Sequence, residues 1–350
     1  MLSIEAVQYL VFSGGGQRGF AYVGALRELR KRGLDTSDLK GVAGTSIGAL
    51  IATLLTAGYN SEELAIEVLT IPLEQLLNLN ITSFFFQFGL DNGNLFTTYI
   101  DSLLQRKTGV PSITFAQLEA FSHKRLVVVT HDLHDDKPVY VSAATHPDLP
   151  VVRGLFMSMC VPLLFTPQHL AGHLVVDGGC VENFPMALFP PECTLGFRLH
   201  WTRPAQLDTV QAYFGRLAYC ALNRADNAQW QEMNPLYRQN TINLEVEDVN
   251  TLHWDLTIQQ KHLLFACGTE AVRTALDASG HMTRFVDSEV SRVIKEASAW
   301  QLMGANEAFV YVPTCQSDIE QALGDKGHNS IKWHNPNILH LSFPSNPKGK

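Results

Sequence analysis

A chain of 350 residues with 46% hydrophobic and 17% charged side chains is long enough and apolar enough to bury one large core. Its net charge of −8 argues against a nucleic-acid binder and gives no broad attraction to an anionic membrane. The sequence has no basic tract, low-complexity segment or internal repeat, and its longest apolar run, Ile47 to Ala57, falls far short of the ~20 residues of a transmembrane helix.

Val7 to Phe12 reads as a first strand. It leads into Ser13-Gly14-Gly15-Gly16-Gln17-Arg18-Gly19 and a helical stretch over 18–32 that Gly33 ends. Three glycines in a row between strand and helix leave backbone N–H groups bare at the positive end of a helix dipole, where an anion can come close. In an acyl-transfer enzyme that anion is the tetrahedral oxyanion, and each donor is worth roughly 3 kcal/mol in the transition state. Arg18 either holds the loop or adds positive potential. The same residues also fit the dinucleotide fingerprint Gly14-x-Gly16-x-x-Gly19, with Asp35 or Asp38 near the place of the ribose-binding acid. A Walker loop is excluded, because no Gly-Lys-Ser/Thr follows.

A second strand, 40–44, runs into Gly44-Thr45-Ser46-Ile47-Gly48 and a helix over 47–57 that Gly58 caps. A serine between two glycines at a strand-to-helix turn is a nucleophile elbow, which thrusts its hydroxyl toward a substrate. The dinucleotide reading leaves that serine unexplained. A helix near 61–69 follows, and then the pattern breaks from 70 to 100. There Phe84, Phe85, Phe86 and Phe88 cannot all face one core. Aromatic packing in an irregular loop is the first expectation; an acyl-chain groove or a membrane-contacting lid is the other.

Leu126 to Thr130 and Val139 to Val141 read as strands around the turn Asp135-Asp136-Lys137-Pro138, and Arg153 to Met159 as a helix that Pro162 ends. The β-branched run Leu174-Val175-Val176 then delivers Asp177 onto the turn Gly178-Gly179. An acid at the end of a buried strand is a candidate base, although Asp-Gly-Gly alone is also an ordinary hairpin turn. Strands at 195–199 and 241–246 and helices at 209–232 and 255–278 complete an alternation of β and α that predicts parallel strands with helices on both faces.

Together the three motifs resemble the patatin-like phospholipase family. The resemblance rests on Gly14 to Gly19, Gly44 to Gly48 and Asp177 to Gly179 in that order, on Ser158 and Pro162 before the aspartate, and on Asn183 and Pro185 after it. It covers roughly residues 7 to 275. It implies a three-layer α/β/α fold with a mostly parallel central sheet, Ser46 as nucleophile and Asp177 as its base. It also implies an oxyanion hole from Gly14, Gly15, Gly16, Gln17, Arg18 and Gly19. The implied substrate is a phospholipid or other acyl lipid, met in transient contact with a membrane surface, with no cofactor; a protein activator is left open. Two other readings stand beside it: an α/β-hydrolase-type esterase with a tail histidine, and a dormant protein that grips lipid or a partner.

For the first of these, His328, His334 and His340 lie where such a hydrolase carries its histidine. His169 and His173 straddle Ala171-Gly172, and no carboxylate or cysteine is spaced to complete a metal set with them, so no metal is expected. The six cysteines are scattered without a Cys-x-x-Cys and no basic leader precedes an apolar core, so a cytoplasmic protein with reduced thiols is expected. Residues 7–277 form the expected phospholipase domain. The extension 278–350 is expected to bring a helix at 286–299, strands at 309–312 and 338–343, and a solvated tail.

Overall fold

The apolar runs become strands buried on both faces. In the computed structural model the described residues are 1–71, 73–200, 216, 220, 226–246 and 256–277, with strands at 307–311, 330–335 and 338–342. The strands are β1 (Tyr9–Phe12), β2 (Gly41–Thr45), β3 (Gly89–Asp91), β4 (Arg125–Asp132), β5 (Lys137–Val141), β6 (Leu163–Phe165), β7 (Gln168–Leu170), β8 (His173–Asp177), β9 (Thr194–Leu199) and β10 (Thr241–Leu244). Eight of them make one sheet in the order β10-β9-β1-β2-β4-β8-β7, with β5 on β4. From β10 to β4 all neighbours are parallel. The β5, β7 and β8 pairings are antiparallel.

Alternation along each strand sends side chains to opposite faces. Leu10, Phe12, Val42, Leu126 and Val128 join the larger core with α1 (Ala21–Lys31) and α2 (Ile47–Thr56). Val11, Ala43 and Val127 point the other way, onto Phe184, Met186 and Phe189. The fold is the mostly parallel α/β sheet with helices on both sides that the motifs imply.

Between α3 (Ser61–Thr70) and β4 the chain is more regular than its pattern suggests. It forms the short helix α4 (Ile81–Gln87), then β3, α5 (Asn94–Thr108) and α6 (Phe115–Ser122). Farther on, α7 (Val151–Met159) packs against β4 and β8, and Ile258–Asp277 is a helix against α1. The strands Glu307–Tyr311, Ser330–Asn335 and Ile338–Ser342 form a separate antiparallel sheet. The expected helix at 286–299 and tail at 344–350 lie outside the described residues, as does most of 209–232.

Candidate active site

The elbow is built by backbone geometry. β2 ends at Thr45 and α2 begins at Ile47, so Ser46 alone makes the turn, at φ 55° and ψ −123°. A non-glycine residue held there stores about 1–3 kcal/mol of strain. The flanking glycines are required by contact: a Cβ on Gly44 would sit 2.4 Å from the Gly48 carbonyl, and one on Gly48 would sit 2.4 Å from the Phe12 carbonyl. Side chains lock the turn. The Ser46 N–H donates to Ser158 Oγ at 2.9 Å, and the Thr45 hydroxyl donates to the Glu182 carbonyl at 3.0 Å.

Sheet register brings the aspartate to this serine. Along one edge of β4, Val129 pairs with Thr45 of β2 and the next residue, Thr130, pairs with Asp177 of β8. Both partners lie on the same edge, because β5 occupies the other at both Val129 and Thr130. The end of β2 therefore abuts the end of β8, which brings the Ser46 side chain near enough to the Asp177 carboxylate to favour its charged form. Gly178 passes so close to β4 that a Cβ there would lie 2.3 Å from the Val129 carbonyl.

Asp177 is 2% exposed. Burial pushes its carboxyl up to about 6, against the nearby Ser46 hydroxyl and the Gly179 N–H, which favour the charged form. The Gly179 N–H donates to Asp177 Oδ1 at 2.7 Å. Such a group is ionised at neutral pH yet basic enough to take a proton. The thiols of Cys160 and Cys180 are also held protonated by burial first and by Asp177 second, the latter raised to about 12.

The glycine loop lies beside the elbow. A Cβ on Gly14 would be 3.4 Å from Ser46 Cβ, and one on Gly19 would be 2.4 Å from Ile47 Cγ1. Ser13 anchors the loop: its N–H donates to Phe197 O at 3.0 Å, while its hydroxyl accepts from Leu199 N–H at 3.0 Å. The loop's amides are not equivalent, and one expectation needs correction. The Gly14 N–H is occupied, donating to the Asn183 carbonyl at 3.1 Å. Gly15 and Gly16 follow, with Gly16 at φ 58° opening a 3-10 turn over Gly16–Phe20 that contains Gln17, Arg18 and Gly19. Arg18 is fully buried, and its guanidinium donates to the His200 carbonyl, which ties the loop to the end of β9.

Asn183 belongs to a buried polar chain that the sequence alone did not reveal. Its amide donates to Asp226 Oδ1 at 3.0 Å, and Asp226 pairs in turn with Arg198 on β9. All three residues are at most 2% exposed. Of the tail histidines, His334 and His340 lie on strands of the three-stranded sheet, and His328 is outside the described residues.

The aromatic segment is corrected most. Phe85, Phe86 and Phe88 are 71%, 79% and 64% exposed, and Leu79 and Ile81 are exposed beside them; Phe85 meets the half-buried Phe84 edge-on, but these three rings remain largely in water. Asn80 caps α4 by accepting the Thr82 N–H at 2.8 Å, and Phe88 ends it at φ 64°. β3, which follows at once, pairs with β6 just beyond α7, the helix that carries Ser158. No helix among the described residues is long and apolar enough to cross a membrane.

The sequence profile of the family described as Patatin-like phospholipase matches residues 10–190, a span holding the glycine loop, the elbow and the Asp-Gly-Gly turn. The chain belongs to the patatin-like phospholipase family. An uncharacterized protein of Acanthamoeba polyphaga mimivirus is 26% identical to this patatin-like chain over 284 residues, covering 78% of it and 94% of the viral protein. The uncharacterized protein YqhO of Bacillus subtilis (strain 168) is 31% identical over 285 residues, covering 74% of this chain and 94% of YqhO. A probable lipid hydrolase of Invertebrate iridescent virus 6 is 28% identical over 182 residues, which is 51% of this chain and 61% of that protein. Among solved structures, VipD from Legionella pneumophila shares the fold at a TM-score of 0.61 and 16% identity, over 91% of this chain and 79% of VipD.

Proposed function

We propose that this patatin-like protein is a lipid acyl hydrolase of the phospholipase A type, working through Ser46 and Asp177. The observation that carries the reading is a strained elbow serine set by sheet register beside a buried carboxylate raised to about 6. Ser46 Oγ attacks the acyl carbonyl carbon while Asp177 takes its proton. The tetrahedral oxyanion forms against the first amides of the glycine loop, Gly15 and Gly16, rather than Gly14. Collapse expels the glycerol oxygen, which receives the proton from Asp177. Water, deprotonated by Asp177, then cleaves the acyl-enzyme to a fatty acid and frees Ser46.

The family description, and a relative called a probable lipid hydrolase, support an acyl lipid as substrate. The exposed rings of α4 suit contact with the aggregated lipid, since each is an apolar surface left in water. A cytoplasmic protein that touches membranes peripherally fits these features. The test is fatty-acid release from a glycerophospholipid panel in liposomes and micelles by wild type and Ser46→Ala. Release by the wild type alone supports the reading, and equal release by both overturns it.

A further inference from the structure

One cluster of metal-ligating side chains lies outside the dyad. Asp132 ends β4, His134 follows in the turn toward β5, and His173 starts β8. The sequence pairs His173 only with His169 across a turn. The antiparallel pairing of β4 with β8, which sets Asp132 opposite Val175, supplies the missing carboxylate from 41 residues upstream.

One ligand atom from each of the three residues lies within 4.8 Å of the others. His173 Nδ1 is 2.7 Å from Asp132 Oδ2, and His134 Nδ1 is 3.9 Å from Asp132 Oδ1. The two imidazole rings stand 4.8 Å apart between centroids. The carboxylate is already aimed, because the N–H groups of His134 and Asp135 donate to Asp132 Oδ1 at 2.8 and 3.3 Å. Such outer hydrogen bonds orient a ligand before an ion arrives. Leu174 N–H donates to the same His134 Nδ1 at 3.2 Å, a contact that an ion bound at this nitrogen replaces. Asp132 is buried while both histidines are partly open to solvent, so an ion can enter.

Two imidazoles and one carboxylate suit borderline first-row ions, whereas calcium and magnesium prefer all-oxygen sets. We propose that Asp132, His134 and His173 form a binding site for a divalent cation of the zinc class, with water in the remaining positions. The ion sits away from the chemistry: His173 and Asp177 are four residues apart on one strand, roughly 13 Å at ~3.3 Å per residue. Bound there, it fastens the β7–β8 hairpin to the β4–β5 turn, and thus steadies the strand that ends in Asp177.

The experiment is calorimetric titration of the EDTA-stripped, desalted full-length chain with ZnCl2, repeated with CoCl2 while the visible spectrum is followed. We expect a site near one ion per chain that His134→Gln and His173→Gln each weaken at least tenfold and that His169→Gln leaves unchanged. Co2+ should give an absorption band that both ligand variants lose. Absence of saturable binding, or binding that survives both substitutions, overturns the proposal. If His173→Gln does not fold, His134→Gln in the exposed turn decides alone, with circular dichroism confirming its fold.

Discussion

Replacing Asp177 by Asn should make the protein more stable and inert in one step. Burial holds the Asp177 carboxyl near 6 in the fold, against an ordinary value of 3.8. Because the folded value is the higher one, the native state keeps a proton that the unfolded chain has released between those pH values. The stability from this site is therefore complete below about pH 4 and is lost as pH rises through 6. A separation of about two units amounts to ~3 kcal/mol at full development, of which about 2 kcal/mol develops between pH 4.5 and 7.5. Asparagine has nearly the same shape and still accepts the Gly179 N–H, yet never ionises. In urea unfolding at the two pH values, the advantage of Asp177→Asn over wild type should be about 2 kcal/mol larger at pH 7.5. Lipid hydrolysis by the variant should be lost, and that of the wild type should fall as the pH drops through 6. An advantage independent of pH, or a variant weaker than wild type at pH 7.5, would refute the assignment of Asp177 as a buried ionised base.

Gly16→Val should lower kcat by about 10²–10³, as for the loss of one oxyanion donor, because φ 58° is a conformation that a β-branched residue resists. Affinity for lipid vesicles should hardly change, and an equal loss of vesicle binding would mean that the loop grips a substrate phosphate instead. Changing His328, His334 and His340 together to Gln should leave turnover within about tenfold of wild type. A loss as deep as that of Ser46→Ala would transfer the chemistry to a histidine triad. Phe85→Ser with Phe86→Ser should weaken liposome binding and liposome hydrolysis, by roughly 1.5–3 kcal/mol per ring, and spare hydrolysis of a short monomeric ester. The melting temperature should hold, because both rings are exposed; a fall in it together with both activities would make them core residues.

The βα units that carry the site were legible because glycines punctuate them. Gly33 and Gly58, both at positive φ, mark helix ends, and Gly44 and Gly48 are forced by backbone contact. β3, β6 and β7, of three residues each, are too short for a period to show. α5 and α6 did leave signals: Gly93 and Gly109 flank the first, and a Thr114-to-Gln117 capping box opens the second. The exposed phenylalanines defeat the assumption that apolar clusters are buried. The Asn183–Asp226–Arg198 chain and the Asp132–His173 contact join residues many positions apart, so only the sheet reveals them. Gly14 shows the same limit on a smaller scale: its motif gives a loop rich in N–H groups, but only the fold shows which of them is occupied.

The most direct measurement is covalent capture of the nucleophile. The wild-type protein, Ser46→Ala and Asp177→Asn would each be treated with a long-chain alkyl fluorophosphonate and mapped by peptide mass spectrometry. Ser46 should carry one phosphonyl group in the wild type, little in Asp177→Asn because the serine has lost its base, and none in Ser46→Ala. A label on any other residue, or undiminished labelling of Ser46 in Asp177→Asn, would contradict the dyad.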